Sequence, residues 1–279
     1  MSKQLIDSDR LSRIHHIILD MDGTIYNGNQ LFDFTPKFFD TLKRLDIHYT
    51  YLTNNSSRNV VQYLEKLHEM GLEGTNEDIY TSSLATIEYL MSNRSEIRKL
   101  YILGTDGMKS EFRESGFQVI GEEIDEEPDA VIVGFDTSLT FDHLCRAAYW
   151  IKLGKPFIAT HPDRTCPTNK PTLLVDCGAI CASLESATGR GPDIILGKPD
   201  PRMIWGILNR NHLEKNEVAM VGDRLYTDIE MAHRAGVMGV LVLSGENTRE
   251  DANNYTTKPD LVVQNIDKFG ELLTESRNQ

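Results

Sequence analysis

The sequence predicts an α/β protein: a doubly wound parallel sheet into which a second, smaller α/β domain is inserted. Three observations predict it. Short apolar runs alternate with stretches of helical periodicity along most of the chain, the pattern of strands joined by helical crossovers. Over residues 84–187 that alternation gives way to a segment with apolar runs of its own. Several runs also end in polar groups, beginning with Ile17-Ile18-Leu19-Asp20-Met21-Asp22-Gly23-Thr24. In open α/β sheets, ligands bind outside the carboxyl ends of the strands.

The first run is bounded and apolar, so it reads as a buried strand that leaves sharply at Gly23-Thr24. After a turn-rich stretch, Thr35 as N-cap and Pro36 at the first helical position start a helix carrying Phe38, Phe39, Leu42 and Leu45 on its apolar face. Residues 48–53 form a β-rich run that stops at Thr53-Asn54-Asn55-Ser56-Ser57, and a helix over about 58–70 closes at Gly71. A short strand over 79–82 precedes a helix capped by Ser82 or Ser83. Within the insert, 99–104, 130–135 and 157–160 read as strands, with helices near 106–115 and 140–153 and an acidic solvated connector over 122–128. Residues 193–197 then resume the first pattern as a strand ending at Lys198-Pro199, followed by a helix opened by Asp200-Pro201. Residues 217–223 form another strand ending in a carboxylate, and Asp228 starts a helix that closes at Gly236. The last strands are 238–243 and 261–263, before a terminal helix over 266–276. The expected domains are 1–83 with 188–279, and the insert 84–187.

A chain of 279 residues with 40% apolar and 25% charged residues can bury a real core. A net charge of −13 argues against nucleic acid as a partner, because that binding depends on clustered Lys and Arg. Residues 1–13 lack the apolar core of a signal peptide, and no run approaches membrane-spanning length, so a cytoplasmic protein with no membrane partner is expected. Cys145, Cys166, Cys177 and Cys181 complete no zinc pattern and read as unpaired, mostly buried thiols of a reducing compartment. His15, His16 and His143 read as structural or exposed.

Four polar groups thus stand at the ends of four apolar runs: Asp20 with Asp22, Thr53, Lys198 and Asp223. Each has an ordinary alternative, as a turn residue, a helix cap or a surface charge. If the strands are parallel neighbours, all four groups meet at one edge of one sheet. The chemistry such a set supports is phosphoryl transfer. Mg²⁺ takes oxygen ligands and makes a phosphate tolerable beside carboxylates; Asp20 and Asp223 suit that role, with Asp228 holding a metal-bound water or orienting its neighbours. Asp20 can then attack phosphorus, while Asp22 gives and later takes a proton. Thr53, Lys198 and the backbone N–H groups following Asp22 and Thr53, at Gly23, Asn54 and Asn55, would hold the phosphoryl oxygens.

In this order, Asp20-Met21-Asp22-Gly23-Thr24, Thr53-Asn54-Asn55, Lys198-Pro199 and Gly222-Asp223-Arg224-Leu225-Tyr226-Thr227-Asp228 resemble the four motifs of the haloacid dehalogenase (HAD) superfamily. The second acid of the first motif resembles the phosphatase and phosphotransferase branch. An insert between the second and third motifs resembles a type 2 cap on a Rossmann-like core. Together with Ala159-Thr160-His161-Pro162-Asp163, these features are similar to the NagD-like (IIA) subfamily of nitrophenylphosphatases and sugar-phosphate or nucleotide phosphatases. The resemblance implies Asp20 as nucleophile and Asp22 as general acid/base, whose backbone carbonyl also ligates Mg²⁺. It also implies Asp223 and Asp228 at the metal, and a small phosphorylated metabolite as substrate. Family members often carry Asn where His161 stands.

The polar, Pro-punctuated loop 161–168 follows a strand directly, so His161 and Asp163 are candidates to contact the leaving group. By family analogy, a homodimer would form through the cap. A phosphotransferase or mutase using the same aspartyl-phosphate, and a non-catalytic phospho-ligand sensor, are the alternative functions.

Overall fold

The computed structural model describes residues 8–121, 126–168 and 171–278. The start of the N-terminal stretch and residues 122–125 of the acidic connector lie outside the described residues. The chain divides into two compact units. One comprises Met1–Leu52, Leu67–Ile79 and Pro199–Gln279, the other Thr53–Lys66 and Tyr80–Lys198. These bounds differ from the expected ones at both joins, because residues 53–66, 80–83 and 188–198 group with the second unit.

The first unit is built on a six-stranded sheet in the order Leu261–Val263, Met238–Val242, Val218–Gly222, His16–Asp20, His48–Thr53, Ile79–Thr81. The strand His16–Asp20 pairs in parallel with a neighbour on each side, Ile18 facing Met220 on one and Thr50 on the other. The chain first builds outward on one side and then, after the insert, on the other. The carboxyl end of His16–Asp20 is therefore the point where strand order reverses, which opens a crevice in a doubly wound sheet. All five of its residues are buried, as they are in Val218–Gly222 and Met238–Val242. Such continuous burial is the mark of strands covered on both faces. His16 accommodates this as a neutral ring: burial, then repulsion from His48, pushes it down to about 4, and its Nε2 lies 2.8 Å from the Thr50 hydroxyl. The helix Ile266–Arg277 brings Gly270 against Phe38 of the helix Thr35–Leu45, where an added Cβ would stand 3.1 Å from the ring.

The second unit has a five-stranded parallel sheet in the order Ile194–Ile195, Phe157–Ala159, Ala130–Val133, Lys99–Leu103, Gln118–Val119. Side chains alternate between its faces. Leu100, Ile102, Ala130 and Ile132 join one buried cluster with Phe112 and Leu90. Tyr101, Leu103, Val131 and Val133 join another with Trp150 and Leu184.

The structure corrects one expectation that matters for the site. Residues 193–197 do not rejoin the first sheet. The strand Ile194–Ile195 pairs with Phe157–Ala159, and the Asp193 carboxylate accepts from the Phe157 N–H at 2.8 Å. Lys198 therefore leaves the second sheet, so the four polar groups do not end four strands of a single sheet. Two caps also differ. Thr35 does not cap its helix but donates to the Ile25 carbonyl at 2.7 Å, and Thr81, not Ser82 or Ser83, accepts from the Leu84 N–H. None of the four cysteines forms a disulfide; Cys177 and Cys181 are buried, Cys166 is half-buried and Cys145 is exposed. No described helix is long and apolar enough to cross a membrane.

Glu111 is a buried carboxyl of the second unit that accepts from the Val60 N–H and the Thr81 hydroxyl. Burial outweighs these bonds and raises it to about 7. A carboxyl raised on folding binds its proton more tightly in the native state, so its contribution to stability falls as pH climbs from the unfolded value near 4.5 through about 7. Urea titrations at pH 4.5, 6 and 8 should show a loss on the order of 3 kcal/mol from this group. Glu111→Gln should flatten that slope and be the more stable protein at pH 8.

Candidate active site

Asp20 is the last residue of the strand at the reversal point, Asp223 follows Val218–Gly222, and Asp228 lies in the next turn. Parallel pairing of the two strands sets their ends side by side. One carboxylate oxygen from each of the three acids lies within 4.8 Å of the others, and all three residues are buried. Asp228 reaches in from a wide π-helical turn, Leu225–Ile229, in which the Ile229 N–H spans five residues back to the Arg224 carbonyl.

Three glycines make room for this crowding. A Cβ on Gly23, at φ 84°, would stand 2.4 Å from Asp223 Oδ2; one on Gly245 would stand 2.0 Å from the same atom. One on Gly222 would lie 2.3 Å from the Asp228 carboxyl carbon. The carboxylates are also held by the backbone. Asp223 Oδ2 accepts from the Glu246 N–H at 2.7 Å, and Asp228 Oδ2 accepts from the Arg224 N–H at 3.1 Å. The Thr24 hydroxyl donates to Asp20 at 3.4 Å.

Burial first, and then the charges of Asp20 and Asp228, push Asp223 up to about 7. Its Oδ1 is buried with no hydrogen-bond partner. Three convergent oxygen donors, one of them an orphaned buried oxygen raised by its like-charged neighbours, fit a hard divalent cation. Asp22 is half-buried at the turn beyond, paired across a single bridge with Tyr26, and the Gly23 N–H donates to the Tyr26 carbonyl at 2.8 Å.

In the second unit the structure gathers a different part of the sequence-predicted set. Thr53 accepts from the Asn55 N–H at 3.1 Å, and Asn55 in turn accepts from the Ser57 N–H at 2.9 Å. The buried Asn54 amide brackets Lys198: its Oδ1 accepts from the Lys198 N–H at 2.6 Å and its Nδ2 donates to the Lys198 carbonyl at 3.1 Å. The same Nδ2 donates to Asp163 Oδ2 at 3.1 Å. Lys198 is itself buried.

His161 lies in the loop that follows the strand Phe157–Ala159, but its ring faces inward. It is fully buried, with Nε2 2.9 Å from Asp176 and Nδ1 2.8 Å from the Thr160 hydroxyl. Burial opposes its charge, but the field of Cys177, the Asp176 hydrogen bond and the charges of Asp176 and Asp163 outweigh it and raise the ring to about 9. Both ring nitrogens are engaged within the fold.

Sequence reasoning missed the segment Ser244-Gly245-Glu246-Asn247. Ser244 donates to the Gly23 carbonyl, Glu246 N–H holds Asp223, and Asn247 accepts from the Leu225 N–H at 2.8 Å. The signal available was its position directly after the strand Met238–Val242, another strand end of the same sheet.

Comparison with known proteins bears on this geometry. Residues 17–118 match the model of the haloacid dehalogenase-like hydrolases, and residues 195–269 a second HAD-hydrolase-like model. An acid sugar phosphatase of Staphylococcus aureus is 35% identical over 251 residues, covering 90% of this chain and 95% of that protein. The crystal structure of a 4-nitrophenylphosphatase from Thermotoga maritima superposes with a TM-score of 0.88 at 40% identity, covering 94% of this chain and 98% of that one. NagD from Escherichia coli gives 0.82 at 30% identity, with 91% and 98% covered.

The three-acid cluster makes a binding prediction. Gly245→Ala pushes a methyl group into Asp223 without altering any carboxylate. Calorimetric titration should show Mg²⁺ affinity reduced by about 10- to 100-fold, as for other residues that orient metal ligands.

Proposed function

Because the chain belongs to the haloacid dehalogenase-like hydrolases, as a phosphatase of the NagD-like kind, we propose that it hydrolyses small phosphate monoesters with Mg²⁺ through an aspartyl-phosphate on Asp20. The observation that carries this reading is the buried convergence of Asp20, Asp223 and Asp228 at the reversal point of the sheet. In this reading those three residues, with the backbone carbonyl of Asp22, would hold the ion. When bound, it neutralises charge on the phosphoryl group and on the carboxylates around it.

Asp20 then forms a bond to phosphorus as the ester P–O bond breaks, and the electron pair leaves on the alkoxide oxygen. Asp22 donates the proton that this oxygen needs. In the second half, water bonds to phosphorus while the Asp20–phosphorus bond breaks, and Asp22 takes the water's proton, so that inorganic phosphate and both carboxyl groups are restored. Half-burial of Asp22 suits a group that must meet both an alkoxide and water. Thr53, Lys198 and the backbone N–H groups of Gly23, Asn54 and Asn55 hold the phosphoryl oxygens.

Sugar phosphates are the substrate class placed first, on the activity named for the Staphylococcus aureus relative, with 4-nitrophenyl phosphate as an artificial substrate. The lack of a disulfide among four cysteines fits a cytoplasmic setting. A second copy of the chain is the proposed protein partner, supported by the stripe of exposed Phe141 and Tyr149, with Leu153 beyond them, on and after the helix Phe141–Lys152.

Phosphate release from 4-nitrophenyl phosphate and a panel of sugar phosphates, nucleotides and other phosphorylated metabolites tests the reading. Asp20→Asn should lose at least about 10³-fold in rate, and EDTA should abolish release. No release by Mg²⁺-loaded wild type from any ester would sink the proposal. Asp22→Asn should lower kcat/KM by about 10²- to 10⁴-fold for sugar phosphates, and far less for 4-nitrophenyl phosphate, whose leaving group departs without a proton. Equal losses on both would remove Asp22 from the role of general acid.

A further inference from the structure

We propose that Asp163 is a positioning residue which acts through Asn54 on Lys198 and makes no contact with the leaving group. This inference rests on the phosphate-holding roles given above to Asn54 and Lys198. It concerns how those two residues are kept in place.

The argument begins with the donors and acceptors of one amide. The Asn54 side chain makes two bonds to the main chain of Lys198, receiving its N–H at 2.6 Å and giving to its carbonyl at 3.1 Å. A flipped amide would set Nδ2 against the Lys198 N–H and Oδ1 against its carbonyl, two like-to-like contacts. An ionised carboxylate only accepts, so Asp163 Oδ2, 3.1 Å from Nδ2, admits one of the two orientations. The Asn54 carbonyl is fixed as well, by the Ser82 hydroxyl at 2.5 Å. Between them these contacts leave Asn54 a single arrangement, the one that clamps Lys198.

Asp163 is the fixed end of this chain of contacts. Its carbonyl accepts from the Gly178 N–H at 2.7 Å, and a Cβ on Gly178 would stand 2.1 Å from the Pro162 carbonyl oxygen. Only glycine allows the helix Cys177–Thr188 to seat its first turn so close to the Pro162-Asp163 backbone. One residue back from Pro162, the fully buried His161 is bonded to Asp176, the cap of that same helix. On the other side, Gly197, at φ 73°, brings its Cα against His161 and Asn54: a Cβ there would stand 2.6 Å from His161 Cβ and 2.9 Å from Asn54 Oδ1. Two close-approach glycines and a buried side-chain pair thus hold the Asp163 backbone and the Lys198 backbone on either side of one amide. A carboxylate with its main chain so restrained serves as a reference point.

The test compares Asp163→Ala with Asp163→Asn, because the asparagine keeps an acceptor for Asn54 Nδ2 and the alanine does not. Two readouts are taken on protein whose thermal midpoint shows it to be folded. The first is amide hydrogen exchange at Lys198, which reports the clamp whether or not any ester is hydrolysed. Asp163→Ala should accelerate it by about tenfold, and Asp163→Asn should restore protection. The second is kcat over the ester panel. Asp163→Ala should lower it by about 10- to 100-fold, by the same factor for every ester, with Asp163→Asn recovering most of the loss. On a Lys198→Ala background, Asp163→Ala should cost nothing more.

Unchanged exchange at Lys198 would overturn the inference. So would a loss that reorders the esters, which would mark Asp163 as a leaving-group contact, or a full multiplicative loss on the Lys198→Ala background. An inactive wild type would defeat the phosphatase reading, and the exchange result would still decide the role of Asp163.

Discussion

Three carboxylates buried within a few ångströms of one another are an electrostatic liability, and much of the first unit is arranged around it. Burial and, after it, the like charges of Asp20 and Asp228 raise the proton affinity of Asp223. The chain tolerates the cluster because rigid parallel strands fix two of the acids and backbone N–H groups hold two of the three carboxylates. A binding site for a hard cation has to be assembled against this repulsion before the cation can reward it. On the proposed reading, a divalent cation would relieve this repulsion on binding.

The second unit solves a different problem with neutral groups. Lys198 is buried, yet the residue that fixes its main chain is an uncharged amide. An amide can present a donor and an acceptor side by side, imitating the edge of a strand, which no carboxylate or ammonium group can do. Orientation is then the remaining freedom, and it is removed by a charged group that does not itself touch the lysine backbone.

How much of this was legible in the sequence follows from what each feature depends on. Strand ends are local events, so Asp20, Thr53 and Asp223 could be read from an apolar run and the polar residue that stops it. The sheet to which a run belongs is not local. Residues 193–197 look like a strand in either sheet, and only the Phe157 backbone, across a long sequence separation, decides between them. The burial of His161 is non-local for a related reason: its ring is held by Asp176, fifteen positions on. Gly245 follows a strand end, but that position does not say why it must be glycine, because the reason lies in the closeness of Asp223 to a missing methyl group.

The order of the strands also sets the order in which the molecule can be made. His16–Asp20 finds one neighbour soon, in His48–Thr53, but the other, Val218–Gly222, is synthesised roughly two hundred residues later. Most of the second unit is one continuous stretch, Tyr80–Lys198, whose sheet closes without the C-terminal third of the chain. On the ribosome that unit can therefore be finished while the older strand still presents a bare, apolar edge. Such an edge is a template for wrong pairing. The nascent chain is thus most exposed to aggregation along His16–Asp20, and it stays so until Val218–Gly222 has emerged.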